Sequence, residues 1–263
     1  MKILKFIFSF GLFLGLLQGA NLNEIKERGF IKIGVFSDKP PFGFIDQNGK
    51  NQGFDIELAK EISKELFKDE NKIEFLLVEA ASRVEFLQAD KVDLILANFT
   101  KTKERQRVVD FAKPYMKVSL GVVSKNGEIL DLNQLKNKTL IVNKGTTADI
   151  YFTKNHPEIK LLKFDQNTET FAALLDARGD ALAHDNTMLF GWAKNNPNFL
   201  VAIPNLGGVD EIAPAVKKGN KDLVKFLDDL IEKLTKEKFF YKAYEKTLKN
   251  SFGDKIEPQN VIY

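Results

Sequence analysis

Three groups in this chain are of types able to grip a small charged molecule, and each stands just past a short apolar run. The first is Arg105, at the end of Asn98-Phe99-Thr100-Lys101-Thr102-Lys103-Glu104-Arg105, where Thr102 and Glu104 mark a helix start. A planar guanidinium holds a carboxylate through two parallel hydrogen bonds, and the Thr100 hydroxyl beside it can donate or accept. The competing reading is an arginine on a solvated face, in a run that also holds Lys101, Lys103 and Arg107. The second group is Gly145-Thr146-Thr147. Glycine lets a backbone approach a ligand closely, and the unpaired N–H groups of a helix N-terminus favour an anion. Thr146 or Thr147 can equally be no more than the helix cap, and the stretch lacks the lysine and spacing of a phosphate-binding P-loop. The third group is Asp185, after Ala183-His184 and ahead of a helix near Thr187. Its carboxylate can pair with an ammonium group or act as an N-cap. Together the three groups complement a molecule that carries one carboxylate and one ammonium. Buried charges of that kind are tolerated only when each meets an opposite charge and hydrogen bonds.

The elements that must position these groups follow from hydrophobic patterning. From residue 22 onward short apolar runs alternate with amphipathic stretches, which is the signature of an α/β fold with parallel strands. Strands are predicted at 31–36, 72–78, 92–98, 120–124, 139–142, 159–164 and 180–184, and helices at 55–67, 83–87, 103–109, 148–154, 169–177 and 187–194. A C-terminal helix is clearest: Leu223, Phe226, Leu227, Leu230, Ile231 and Leu234 recur at the three- and four-residue spacing of one buried stripe. In open parallel sheets ligands bind beyond the carboxyl ends of the strands, and that is where Asn98, Gly145 and Asp185 fall. One phrase occurs twice, at 86–98 and 174–185: helix end, polar turn, aspartate, buried strand, polar strand tip. It pairs Asp93 with Asp180 and Asn98 with Asp185. The repeat suggests two similar α/β lobes, although any two βαβ units share such a phrase.

A chain of 263 residues suffices for one large domain or two small ones. With 44% hydrophobic and 29% charged residues, a packed core is expected. Lys2 and Lys5 precede an apolar run at 6–17 that closes in Gly19 and Ala20, which predicts a secretory signal peptide at 1–20 cleaved after Ala20. A membrane span needs about 20 apolar residues, more than this run provides. Removing Lys2 and Lys5 takes the basic count from 39 to 37 against 36 acidic residues, a near-neutral balance that argues against nucleic acid. Cysteine is absent, which excludes disulfides, thiolate metal sites, cysteine nucleophiles and a lipid-modified cysteine. The only histidines are His156 and His184, and no Gly-x-Ser-x-Gly or His-Glu-x-x-His pattern occurs. No catalytic residue, metal or cofactor is expected.

Several ordered motifs make the chain resemble a known family: Lys32-Ile33-Gly34-Val35, Pro41-Phe42, Gly53-Phe54-Asp55, Asp110-Phe111-Ala112-Lys113-Pro114-Tyr115, Gly145-Thr146-Thr147 and Asp185, with 92–97 and 100–105 among them. Over residues 23 to about 250 it is similar to the polar amino acid-binding members of the periplasmic solute-binding proteins that serve ABC importers. The resemblance implies a bilobed α/β fold, with lobe 1 at 21–117 plus 210–263 and lobe 2 at 118–209. The chain would cross near 115–118 and return near 204–211. In such proteins the residue matching Arg105 grips the ligand carboxylate, helped by backbone N–H groups at Thr100 and Thr147. The residue matching Asp185 meets the ammonium, with the Asn98 carbonyl and the Thr100 hydroxyl. Phe54 would line the side-chain pocket unless it is ordinary core, and Arg83 would read the ligand side chain unless it lies in solvent. Asp38-Lys39-Pro40-Pro41 departs from many relatives, which carry an aromatic lid there. Within the family, 38–43, 143–149 and 165–171 look most like the cysteine-binding branch, so a small polar amino acid, cysteine first, is the expected ligand. The expected mechanism is hinge closure by a periplasmic monomer that hands its ligand to the membrane subunits of an ABC importer. A periplasmic dehydratase on the same scaffold and an adhesin or sensor module are the alternatives.

Overall fold

The structure is a computed structural model that describes residues 20–253 and 256–263. The expected signal peptide, apart from Ala20, lies outside the described residues.

The first lobe grows around the strand Ile31–Val35, whose Ile31, Ile33 and Val35 are fully buried. It is covered on both flanks by parallel partners, Ile73–Leu77 on one side and Leu94–Ile95 on the other. Two further strands, Ala215–Lys217 and Val109–Phe111, complete a five-stranded sheet and run antiparallel to their neighbours. The helix Phe54–Phe67 packs on this sheet through Ile56, Leu58, Ala59 and Ile62 and stops at Lys68, which adopts a left-handed conformation. It starts at Gly53, whose φ of +121° and closeness to the Phe42 carbonyl, 2.3 Å from any added Cβ, leave room for glycine alone. The C-terminal helix Lys221–Lys236 is capped by the Asn220 side chain and buries the predicted stripe, with Phe226 half-buried at its margin. A small three-stranded hairpin, Asp38–Lys39, Gly43–Ile45 and Asn51–Gln52, projects from this lobe.

The second lobe repeats the plan. Lys160–Phe164, Thr139–Asn143 and Ala181–Asp185 pair in parallel, and Met116–Lys125 and Phe199–Ile212 extend the sheet antiparallel. These last two strands are the links between lobes. Their pairing, with shifts of register along it, ends at Asp210 opposite Val118, Glu211 opposite Lys117 and Ile212 opposite Met116, beside the first lobe. The result is two α/β lobes joined by a two-stranded ribbon.

Two expectations need correction. The sheets are mixed rather than parallel, because a chain that enters the second lobe and returns must close each sheet with oppositely directed strands. The predicted helix at 103–109 is only the turn Lys103–Gln106, since Val109 is drawn into the strand Val109–Phe111 by pairing with Ala215–Lys217.

Candidate functional site

The strand tips of the two lobes face each other across the gap bridged by the ribbon. Arg105 is 7% exposed, which overturns the solvated-face reading. Its turn is capped by the Thr102 hydroxyl, which accepts the Arg105 N–H at 3.2 Å. The guanidinium donates to the Thr100 carbonyl at 2.8 Å and reaches across the gap to the Gly145 carbonyl at 2.9 Å, with Phe99 beneath it at 4.5 Å. Burial pushes its pKa down to about 10 while Asp185 and Asp210 act the other way, so it stays charged at neutral pH.

Arg83, also buried rather than in solvent, leads the helix Arg83–Gln88. It donates to the carbonyls of Ala80, Ala97 and Asn98 at 3.0, 2.9 and 3.3 Å, and to Gly145 at 3.4 Å. Burial, and then the neighbouring Arg105, hold it well below the ordinary arginine range.

From the second lobe comes Asp185, 4% exposed at the end of Ala181–Asp185. It occupies the N-cap position of the helix Asn186–Lys194, yet its carboxylate makes no capping bond there. Instead it faces the first lobe, where Asn98 Nδ2 donates to its Oδ2 at 2.7 Å and Lys39 Nζ lies 3.4 Å away. Burial drives its pKa upward, but Lys39, with Arg83 further off, outweighs that and holds the carboxyl below its usual range.

Asn98 is the turning point between these groups. Its backbone is left-handed at φ +44°, its N–H donates to Asp55 Oδ2 at 2.8 Å, and its buried Oδ1 has no hydrogen-bond partner. Thr100 is buried beside it. In the opposite lobe Thr146 is the cap, settling that alternative: its hydroxyl accepts the Asp149 N–H at 3.2 Å and donates to the Asn143 carbonyl at 2.7 Å. Thr147 is the first residue of the helix Thr147–Asn155. The Gly145 N–H is taken by Asp149 Oδ2 at 3.0 Å, so that N–H is not free for an anion. Phe54 is not brought to this cluster. It is fully buried in the first-lobe core, stacked on Tyr115 at 6.0 Å and packed against Phe240 at 6.3 Å.

Two members of the cluster were missed. Asp55, next to Phe54, is buried and accepts the Tyr115 hydroxyl at 2.6 Å as well as the Asn98 N–H, thereby fixing the Asn98 turn. Its signal was the motif Gly53-Phe54-Asp55, an acid one residue into an apolar helix. Lys39 is 2% exposed, with its ammonium 5.2 Å above the Phe36 ring. Its signal was a lysine held before two prolines where relatives carry an aromatic. Beside it, Asp38 accepts the N–H groups of Asn167 and Thr168 at 2.7 and 3.3 Å, tying the hairpin to the helix Asn167–Leu175 of the other lobe. A cavity of about 260 Å³ lined by Phe36, Asp38, Glu79 and Asn167 lies at this seam.

Two α/β lobes on a two-stranded ribbon, with buried cations from the first meeting a buried carboxylate of the second in the gap, define a bilobed binding protein. The family model for bacterial extracellular solute-binding proteins, family 3, matches residues 31–250, and the chain belongs to that family. A solved structure of a solute receptor for L-cysteine of Neisseria gonorrhoeae superposes with a TM-score of 0.91 at 60% identity, covering 93% of this chain and 100% of that one. A cysteine-binding protein from Campylobacter jejuni does so with a TM-score of 0.91 at 60% identity over 92% of this chain and 98% of that one. An ABC transporter glutamine-binding protein of Bacillus subtilis is 33% identical over 87% of this chain and 84% of its own. These relatives are solute-binding proteins, and this chain is a binding protein rather than an enzyme. Among the described residues no helix is long and apolar enough to cross a membrane.

Proposed function

We propose that the protein captures a small polar L-amino acid, cysteine first, between its lobes and delivers it to an ABC importer from the extracytoplasmic side. The observation that carries this reading is the convergence of Arg105 from one lobe and Asp185 from the other on the same buried gap. Arg105 is the carboxylate grip and Asp185 the ammonium partner, with Asn98, Thr100 and the Gly145-Thr146-Thr147 turn around the ligand head. The likeness to cysteine-binding proteins at 60% identity supports cysteine as the first ligand to test. The same geometry supports closure around the Met116–Lys125 and Phe199–Ile212 ribbon, since only a closed gap brings both lobes to one molecule.

A thermal-shift screen of the refolded mature protein against the common amino acids and cystine tests the reading, because a ligand that binds only the folded state raises the melting temperature. L-cysteine is expected to give the largest rise and to be recovered unchanged. A screen in which no amino acid raises the midpoint contradicts the proposal.

A further inference from the structure

We propose that Lys39 selects the class of side chain the protein accepts: a third buried cation in the gap, it excludes amino acids with cationic side chains and admits short neutral or acidic ones. The inference deepens the capture reading above and rests on it. Lys39 is fixed from its backbone outward, by pairing with Gly43 and by the Phe42 N–H, which donates to its carbonyl at 2.9 Å. Lysine is almost never fully buried unless paired, and its ion-pair partner among the described residues is Asp185, at 3.4 Å across the gap.

The charge balance around it sets the selection. Lys39, Arg83 and Arg105 are buried basic side chains, with burial lowering the Lys39 pKa and Asp185 opposing that, and the two arginines share the Gly145 carbonyl. Against them stand two buried carboxylates, Asp185 and Asp55, with the half-buried Asp210 on the Arg105 side. An α-amino acid head adds one charge of each sign and leaves this balance unchanged. A neutral side chain leaves it unchanged too, and an acidic side chain supplies one compensating anion. A guanidinium or ammonium side chain instead adds a fourth cation to a low-dielectric gap, where like charges repel strongly. Asp185 has no capacity left to neutralise it, because one oxygen already receives Lys39 and Asn98 and the ligand ammonium needs the remainder. That side chain would stay buried and unpaired, the costliest arrangement for a charge.

Calorimetric titration of the refolded protein with L-cysteine, L-serine, L-aspartate, L-arginine and L-lysine tests this, in the wild type and in Lys39→Met. The wild type is expected to bind L-arginine and L-lysine at least about 100-fold more weakly than its best short ligand, and Lys39→Met to narrow that gap by about tenfold or more. Lys39→Gln, neutral but polar, is the second variant should the first not fold. Wild-type binding of arginine or lysine within about tenfold of the best short ligand overturns the role of Lys39. So does full discrimination in a folded neutral variant. If the wild type binds no amino acid at all, the capture reading falls first and this inference with it, which separates the two failures.

Discussion

Asp185 can stay ionised in a closed gap because Lys39 and Asn98 reach it from the opposite lobe. The residue before it has the opposite task. His184 Nδ1 accepts the Asp185 N–H at 2.7 Å and its Nε2 faces Asn167 Oδ1 at 3.2 Å, an arrangement that suits a neutral ring. Burial, reinforced by Lys39, pushes its pKa down to about 3, while burial pushes Asp55 up to about 6. The two carry opposite signs in the acid range. The depressed His184 contributes stability that is present above 6.5 and lost as pH falls toward about 3. The raised Asp55 contributes stability that is full below 3.8 and lost as pH rises through about 6. His184 by itself therefore makes the fold less stable as acid is added below 6.5, and Asp55 opposes it. In calorimetric melting, taking the pH from 7 to 4 should lower the midpoint of the wild type relative to that of His184→Asn; parallel profiles reject this assignment. Asn98 and Asp185 were legible because each ends an apolar run, whereas Arg105 lies in a polar stretch and was set apart from its basic neighbours by the resemblance. Lys39 and Asp55 were not, because their burial is produced by the hairpin, the first-lobe core and the opposite lobe, none of which leaves a periodicity at those positions.

At the scale of elements, the turn before the helix Thr147–Asn155 is one of the places where the lobes touch. Gly145 has φ +72°, and a Cβ there would stand 2.5 Å from Ala81 Cα in the first lobe. Its carbonyl receives both arginines. Gly145→Ala should therefore hold the lobes apart rather than unfold either one. The expected result is at least about tenfold weaker L-cysteine binding and a smaller ligand-induced contraction in small-angle scattering. The left-handed backbone alone costs alanine about 1–2 kcal/mol. Gly49→Ala is the control, since Gly49 has φ +74° but nothing within 4 Å of its added Cβ. Equal affinity in Gly145→Ala and Gly49→Ala would contradict a contact that governs closure. Most strands and helices were legible from their apolar spacing. Among the elements that patterning did not give are Leu22–Arg28, Phe239–Thr247 and the hairpin strands, and two others depend on distant partners: Phe199–Ile212 carries Pro204, Gly207 and Gly208 and shows no apolar alternation of its own, its return near 204–211 coming only from the resemblance, and Ala215–Lys217 is a strand only between Leu94–Ile95 and Val109–Phe111.

For the whole molecule, the twice-used phrase at 86–98 and 174–185 pointed to two lobes because each copy ends a central strand at the gap. The facing of those two ends, Asn98 against Asp185, is a property of the ribbon and not of either phrase. On the proposed reading each lobe supplies half of a charge-complementary site, and losing either half should abolish tight binding. Truncating one partner of a buried, hydrogen-bonded charge pair costs about 2–5 kcal/mol, or roughly thirtyfold to several-thousandfold in affinity. The most direct measurement is calorimetric titration of Arg105→Ala and Asp185→Ala, one variant per lobe, with the ligand that stabilises the wild type. The account predicts that both variants remain folded and that both lose binding by at least about thirtyfold. Wild-type affinity in both would contradict it.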